Sequence, residues 1–303
     1  MVEKPLSWTP VIIVAIIVVV ASSAAGAYLY IVVNAPKSAP SVLTVQEGDN
    51  VTVNYIGSFG SGIDHGKVFD TSLLNVAKDN ASYPKAISFG FRGDKGYTPL
   101  PAHVGPQSYG NYTSLITGFW TAMVGLKANQ TITTVILPAQ GYGNANPAKV
   151  VNFSLVQTLP MVTTYTPNQF GTSFSGIAAQ TGAVFTDPHY QWQDEILSEN
   201  STAIVVEYLP TVGQVVHPYG WPILITNVSN TNSPTGTITF QNELTSQDVG
   251  KWKGTDWANN QPFFLSAVNV QAGTYTLDFN QEVQGNTLIF QITVFQILPP
   301  AAA

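Results

Sequence analysis

Residues 51 to 72 read VTVNYIGSFGSGIDHGKVFDTS, two partly apolar segments separated by a glycine-rich turn. From residue 51 to 55 apolar and polar side chains alternate, which is the period of a β-strand with one buried face. A second apolar run ends at Phe69 and is followed at once by Asp70, in a chain of which only 9% of residues are charged. The position of that aspartate needs an explanation.

The same alternation recurs in ITTVILP, AIVVEYL, ILITNVS, TGTITFQN, YTLDFNQ and NTLIFQITVFQI, separated by Gly, Pro and Asn turns. In SLITGFWTAMVGLKANQ, Ile116, Phe119, Met123 and Leu126 follow one another at spacings of three and four. This spacing predicts a short amphipathic helix that ends near residues 127 to 129 and packs on the concave face of a curved sheet. The predicted fold class is α+β, mostly antiparallel β.

The N-terminal segment carries no charge between Lys4 and Lys37. A helix over residues 11–33 would rise about 34 Å at roughly 1.5 Å per residue, enough to cross a hydrocarbon core of about 30 Å. We predict a short cytosolic tail at 1–10, one transmembrane helix at 11–33 in contact with membrane lipid, and a linker at 34–44. The alternative is a cleaved signal peptide, with small residues at 21–27 as the cleavage site.

Seven Asn-X-Ser/Thr sequons follow this segment. Together with a single N-terminal anchor, they favour a membrane glycoprotein whose main part lies outside the cytoplasm. The sequons begin at Asn50, Asn80, Asn111, Asn129, Asn152, Asn200 and Asn227.

Composition excludes several classes of function. Cysteine is absent, which excludes disulfides, thiolate metal sites and a cysteine nucleophile. A net charge of −6 with 11 basic residues argues against nucleic-acid binding. The four histidines are scattered, so no metal and no cofactor are predicted. The motifs RGD (92–94), GTSFSG and GSFGSGIDHG lack the context of an adhesion site, a hydrolase elbow and a phosphate loop, respectively.

Three stretches, in this order, resemble the signature blocks of the FK506-binding (FKBP) family of peptidyl-prolyl cis/trans isomerases. They are VQEGDNVTVNYIGSF with GKVFDTS, LITGFWTAMVGLKANQTITTVILPAQGYGNAN, and YTLDFNQEVQGNTLIFQITVFQI. The resemblance implies a curved sheet wrapped on a short helix, and proline-containing polypeptides as substrates.

The resemblance also explains the aspartate. In this family the residue matching Phe69 lines an apolar proline pocket, and the residue matching Asp70 lies at its rim, hydrogen-bonded to the residue matching Tyr55. Strict alternation would send Phe69 and Asp70 to opposite faces, so we predict a bulge or strand end at this point. Asp70 is then an orienting group rather than a general base. The alternative is an aspartate that only satisfies neighbouring backbone donors.

Further roles carry over by position. Leu115 and Ile116 match the pair whose backbone receives the substrate, and Phe119 matches the pocket floor, where many members have tryptophan. Tyr142 matches the tyrosine whose hydroxyl donates to a substrate carbonyl, and Phe290 matches an aromatic wall. Without the resemblance, the phenylalanines would be read as ordinary core and Tyr142 as a loop residue.

The chain departs from the pattern in two places. About forty residues separate FDTS from LITGF, so Leu100 is the best match for an aromatic residue on the intervening strand, and Phe89 or Phe91 could supply the missing ring. A histidine that some members have near the YG loop is absent.

The predicted isomerase domain comprises 45–146 and 263–298, interrupted by an insert at 147–262 and followed by a tail at 299–303. Long family members carry a β-rich insert-in-flap domain there that binds unfolded chains, and HPYGWPILITNVS…TGTITFQNEL is similar to its hairpins. Phe170, Phe174, Tyr190 and Trp192 in the insert are either chaperone contacts or core.

The predicted function is therefore a membrane-anchored, extracytoplasmic peptidyl-prolyl isomerase with a client-binding insert. Two alternatives stay open: a non-catalytic polypeptide-binding chaperone on a degenerate fold, and a structural protein that uses the fold as a spacer.

Overall fold

The computed structural model describes residues 43–229, 235–256 and 260–298. The predicted cytosolic tail, transmembrane helix and C-terminal tail, with the linker as far as residue 42, lie outside these residues. Within the described ranges no helix is both long and apolar enough to cross a bilayer. The prediction of a membrane-anchored, extracytoplasmic protein is corrected on this finding and is not carried further.

The described residues form a mostly antiparallel β structure with few helices, consistent with the predicted α+β class. The helices are α1 (Leu74–Lys78), α2 (Thr117–Met123) and α3 (Pro167–Ser173). The strands are β1 (Asn50–Phe59), β2 (Val68–Thr71), β3 (Leu100–His103), β4 (Thr113–Ser114), β5 (Thr131–Ile136), β6 (Val150–Ser154), β7 (Val156–Pro160), β8 (Val162–Tyr165), β9 (Val184–Thr186), β10 (Gln193–Glu199), β11 (Ile204–Tyr208), β12 (Val215–Val216), β13 (Ile223–Ser229), β14 (Thr237–Asn242), β15 (Lys253–Asp256), β16 (Gln261–Asn269), β17 (Thr274–Asp278) and β18 (Leu288–Leu298). Every segment that the alternation predicted to be a strand contains one.

Sheet A has the order β4-β3-β1-β18-β5, and β2 pairs with β1 beside β3. Strand β1 alternates strictly between half-buried and buried residues along its length. It pairs with β18 from end to end, so the first and last described strands lie side by side. Helix α2 packs against β5 and β18. Residues of β1, β18 and α2 form the first hydrophobic core, which includes Val53, Tyr55, Phe119, Met123 and Ile292.

Helix α2 is shorter than predicted. It ends at Met123, and Val124 already has a non-helical backbone. Gly125 then adopts a φ of 87°, a left-handed conformation that ends helices and favours glycine. Leu126 is nevertheless buried in the first core. Its spacing therefore predicts burial correctly but places the end of the helix too late. Helices α1 and α3 were not predicted.

A second hydrophobic core is formed by buried residues that lie between Leu155 and Leu277 in the sequence. It is built on sheet B (β8-β11-β10-β9), sheet C (β12-β13-β14-β7) and sheet D (β15-β16-β17-β6). Phe170, Phe174 and Trp192 belong to this core, which decides between the two readings of these aromatic residues. Strands β16 and β17 also pack here, although residues 263 onward are predicted to belong to the isomerase domain.

Candidate functional site

The predicted irregularity at FDTS is confirmed. In the pair of β1 and β2, Gly57 lies opposite Asp70 and Ser58 lies opposite Val68, so Phe69 is the extra residue of a β-bulge. A bulge turns two successive side chains to the same side of the strand. Phe69 and Asp70 accordingly line the same cavity.

This cavity has a volume of about 240 Å³. All nine predicted site residues line it, together with Thr113 and Ser114, whereas Phe89 and Phe91 do not. The nine are Tyr55, Phe69, Asp70, Leu100, Leu115, Ile116, Phe119, Tyr142 and Phe290. Residues from five strands, from α2 and from two loops thus meet at one point, and we call this the aromatic cavity.

The walls of the aromatic cavity are rings packed edge to face. The Phe290 ring centroid lies 5.5 Å from that of Phe69 and 5.0 Å from that of Phe119, and both pairs are nearly perpendicular. Tyr55 packs edge-on to Phe119 at 5.9 Å. Phe119 and Phe290 are each only 3% exposed, so the deep part of the cavity is apolar and held rigidly.

Gly57, which is not among the predicted site residues, makes this ring packing possible. A Cβ atom at this position would lie 2.7 Å from Phe69 Cζ and 2.8 Å from Phe290 Cε1, inside van der Waals contact. The signal was present in NYIG, since a glycine inside a regular strand often marks close approach by another group.

The rim of the aromatic cavity is polar. The Tyr55 hydroxyl donates to Asp70 Oδ2 at 2.6 Å, and the Thr71 amide donates to Asp70 Oδ1 at 2.8 Å. Burial raises the pKa of Tyr55, and the hydrogen bond to Asp70 raises it further, so the phenol keeps its proton. Asp70 therefore does more than satisfy a backbone donor, because it also fixes the orientation of Tyr55.

Arg92 is a second feature of the site that is not among the predicted residues. Its Nη2 lies 3.3 Å from Asp70 Oδ1 and also donates to the Thr71 carbonyl oxygen. The guanidinium lies over the Tyr97 ring, 4.9 Å from the centroid. Arg92 is the only arginine in the chain and lies in the RGD motif that was set aside. The sequence does contain a signal for a special role of Arg92, because it is a lone arginine in a chain with few charged residues.

Tyr142 stands at the mouth of the aromatic cavity and is 42% exposed. It lies between the short turn Pro138–Gln140 and Gly143, whose φ is 82°. Partial burial raises the pKa of the Tyr142 hydroxyl, and the charge of Asp70 adds to the effect. The hydroxyl is thus a neutral hydrogen-bond donor near an apolar pocket. No cluster of three or more His, Asp or Glu residues able to hold a metal ion is found among residues 43–229, 235–256 and 260–298.

Comparisons with known proteins support a relation to peptidyl-prolyl isomerases in general. No family model matches the chain. The short-type peptidyl-prolyl cis-trans isomerase of Methanocaldococcus jannaschii is 34% identical over 99 residues, which is 33% of this chain and 51% of that protein. The chain therefore spans about half the length of this relative.

Proposed function

We propose that the protein is a peptidyl-prolyl cis/trans isomerase of the FK506-binding type, with the aromatic cavity as its proline site. The observation that carries the proposal is the meeting of nine residues, chosen from the sequence alone, around one apolar cavity with a polar rim. The similarity to a short-type peptidyl-prolyl isomerase supports the same activity.

The chemistry requires no acid or base. Rotation about an X–Pro bond meets a barrier of roughly 18 to 20 kcal/mol because amide resonance must be lost. The apolar rings hold the proline ring and remove water from the amide, whose planar form water stabilises. The Tyr142 hydroxyl donates to a substrate carbonyl. Groups that fit the twisted amide better than the planar one lower the barrier without covalent chemistry.

Within this proposal Asp70 is a positioning residue. One of its oxygens accepts from Tyr55, and the other accepts from the Thr71 amide and faces Arg92. The carboxylate is therefore already engaged, and it holds the Tyr55 ring against Phe119.

The test is a protease-free isomerisation assay of the full chain on a cis-prolyl tetrapeptide. We expect Phe69→Ala and Tyr142→Phe to lower kcat/KM by about tenfold or more. Tyr109→Phe is the matched control, since Tyr109 is exposed and does not line the aromatic cavity. Acceleration that persists in both site variants would place the activity elsewhere.

We also propose that the part of the chain with the second core is an inserted, client-binding domain, as in the long members that the sequence resembles. Because β16 and β17 complete sheet D, we place the end of this domain near residue 279 rather than 262. Deleting the segment should abolish suppression of client aggregation and leave tetrapeptide isomerisation.

The alternative is a non-catalytic polypeptide-binding protein. It predicts no acceleration by the full chain and client binding that survives Phe69→Ala. A structural spacer is disfavoured by the open aromatic cavity, because a spacer would have no need of an unfilled apolar pocket.

A further inference from the structure

Two Tyr-x-Trp motifs occur in the part of the chain with the second core, at 190–192 and 219–221. In each, the central residue is left-handed: Gln191 has a φ of 65° and Gly220 a φ of 96°. This conformation bends the chain sharply enough for the flanking rings to stack. Tyr190 lies 4.3 Å from Trp192 with ring planes 7° apart, and Tyr219 lies 5.2 Å from Trp221 at 26°.

The two motifs are joined by a hydrogen bond and line the same cavity. The His217 amide, two residues before the second motif, donates to the side-chain oxygen of Gln191 in the first. Trp192 and Trp221 are fully buried in the second core and support the tyrosine rings from behind. Both tyrosines line one cavity of about 430 Å³, which we call the tyrosine cavity.

Two further tyrosines line the tyrosine cavity, Tyr165 and Tyr208, and their hydroxyl oxygens are 2.5 Å apart. Asp256 supplies a carboxylate and His189 an imidazole. Among the described residues no lysine or arginine lines this cavity. Burial, and then the neighbouring phenols, raises the pKa of Tyr165 and of Tyr190, so both rings stay neutral.

The surroundings are acidic. Segment 147–262 contains eight aspartates and glutamates against three lysines; burial raises the pKa of one of the eight, Asp194, to about 9, which leaves seven carboxylates. Asp187 is buried and accepts from the His189 and Tyr190 amides at 2.6 and 2.7 Å, directly behind the cavity wall. Electron-rich ring faces and carboxylates favour the same kind of ligand, one that carries positive charge.

We propose that the tyrosine cavity binds an organic cation, a guanidinium or a quaternary ammonium group, against the tyrosine rings with Asp256 as its counter-charge. A hard inorganic cation would need six or more oxygen ligands, whereas an organic cation uses ring faces, apolar contact and one carboxylate together. The source is either the side chain of a bound polypeptide or a free small molecule. This site is separate from the aromatic cavity, and its test is independent of isomerase activity.

The first experiment is calorimetric titration of the full chain with choline and with N-acetyl-arginine methylamide. Each is paired with an uncharged counterpart of nearly the same shape, 3,3-dimethylbutan-1-ol and N-acetyl-citrulline methylamide. We expect each cation that binds to do so at least about tenfold more tightly than its counterpart. Stronger binding of the arginine compound would indicate a polypeptide side chain, and stronger binding of choline a small molecule. Equal binding of cations and neutral counterparts, or no binding of either cation, would overturn the proposal.

Variants locate the site. Asp256→Asn should weaken cation binding by about tenfold, and Tyr219→Leu by a similar factor, whereas Tyr219→Phe keeps the ring face and should bind normally. Glu199→Gln is the control, since it removes an exposed carboxylate from β10 outside the tyrosine cavity. Tetrapeptide isomerisation should be unchanged in all four. If Tyr219→Leu does not fold, Asp256→Asn decides alone, and unchanged affinity in that variant would refute the assignment.

Discussion

Gly57 lies directly opposite Phe290 in the antiparallel pair of β1 and β18, and the Phe290 ring lies over the space where a Gly57 side chain would be. The Phe69 ring reaches the same space from the bulge in β2. The two perpendicular rings of the aromatic cavity therefore depend on the absence of one methyl group in a neighbouring strand.

Replacing Gly57 with alanine should damage the aromatic cavity. The new methyl group would meet Phe69 and Phe290 below 3 Å, so both rings must move. We expect a loss of roughly 1 to 3 kcal/mol in the free energy of unfolding, as for other overpacked cores. We also expect at least a tenfold fall in kcat/KM on the tetrapeptide. Gly90→Ala is the control, because Gly90 is exposed and no atom lies within 4 Å of a Cβ added there. It should change neither the free energy of unfolding nor kcat/KM.

The bond between Tyr55 and Asp70 should appear as coupling in a double-mutant cycle. Tyr55→Phe removes the donor of this short hydrogen bond, and Asp70→Asn removes the charge of its acceptor. A hydrogen bond to a charged group contributes roughly 1.5 to 3 kcal/mol to stability. Urea unfolding of both single variants and the double variant should give a coupling energy of about 1 kcal/mol or more. The exposed ion pair of Lys78 and Asp94 is the matched control, with an expected coupling below about 0.5 kcal/mol. Additive effects at Tyr55 and Asp70 would mean that the bond does not form in solution.

A second pair of acidic residues predicts a pH effect. Asp64 and Glu282 are both buried, and their carboxyl groups interact. Burial, and then the interaction with Asp64, raises the pKa of Glu282 to about 7. Asp64 keeps a lowered pKa in spite of its burial, through bonds from Glu282, from Lys67 at 2.6 Å and from the Ile87 amide at 2.8 Å. Lys253 lines the cavity next to Glu282.

The sign of the effect follows from the raised pKa of Glu282. Between about pH 4.5 and 7 the folded state keeps a proton that the unfolded chain has lost, so stability falls as pH rises through this range. Glu282→Gln replaces that proton with an amide N–H and should flatten the slope, a change on the order of 2 kcal/mol. The exposed Glu47→Gln should leave the slope unchanged. An identical slope in Glu282→Gln and the parent chain would contradict the raised pKa of Glu282.

Local alternation was readable from sequence because it depends on a few neighbouring residues, and the bulge at Phe69 followed from the roles that the family resemblance implied for Phe69 and Asp70. The strand pattern of β1 and β18 survives in the structure because one face of sheet A is buried. The end of α2 was misjudged because Leu126 keeps the helical spacing while Gly125 has already left the helix. The spacing of apolar residues predicts which side chains are buried, but it does not predict where the backbone leaves the helical conformation.

Long-range arrangement was the part that the sequence could not provide. Arg92 reaches Asp70 from a loop whose fold has no periodic pattern. Strand β17 carries a half-buried alternation that would suit either core, and only its partners β6 and β16 place it in sheet D. The twin Tyr-x-Trp motifs were likewise visible as letters, but their stacking depends on the φ of one central residue in each.

That φ gives the last prediction. Gln191 is a non-glycine residue at a φ of 65°, a conformation that costs an L-residue roughly 1 to 2 kcal/mol. Gln191→Gly should relieve this cost and lose only a long bond from the His217 amide, which is 3.4 Å. We expect the free energy of unfolding to rise by about 0.5 to 1 kcal/mol.

Gly220→Ala is the reciprocal variant: its Cβ would lie 3.0 Å from Trp252, and its φ of 96° is unfavourable for alanine. It should destabilise the protein by at least about 1 kcal/mol. If both variants shifted stability in the same direction, the left-handed backbone at these two positions would not account for the changes.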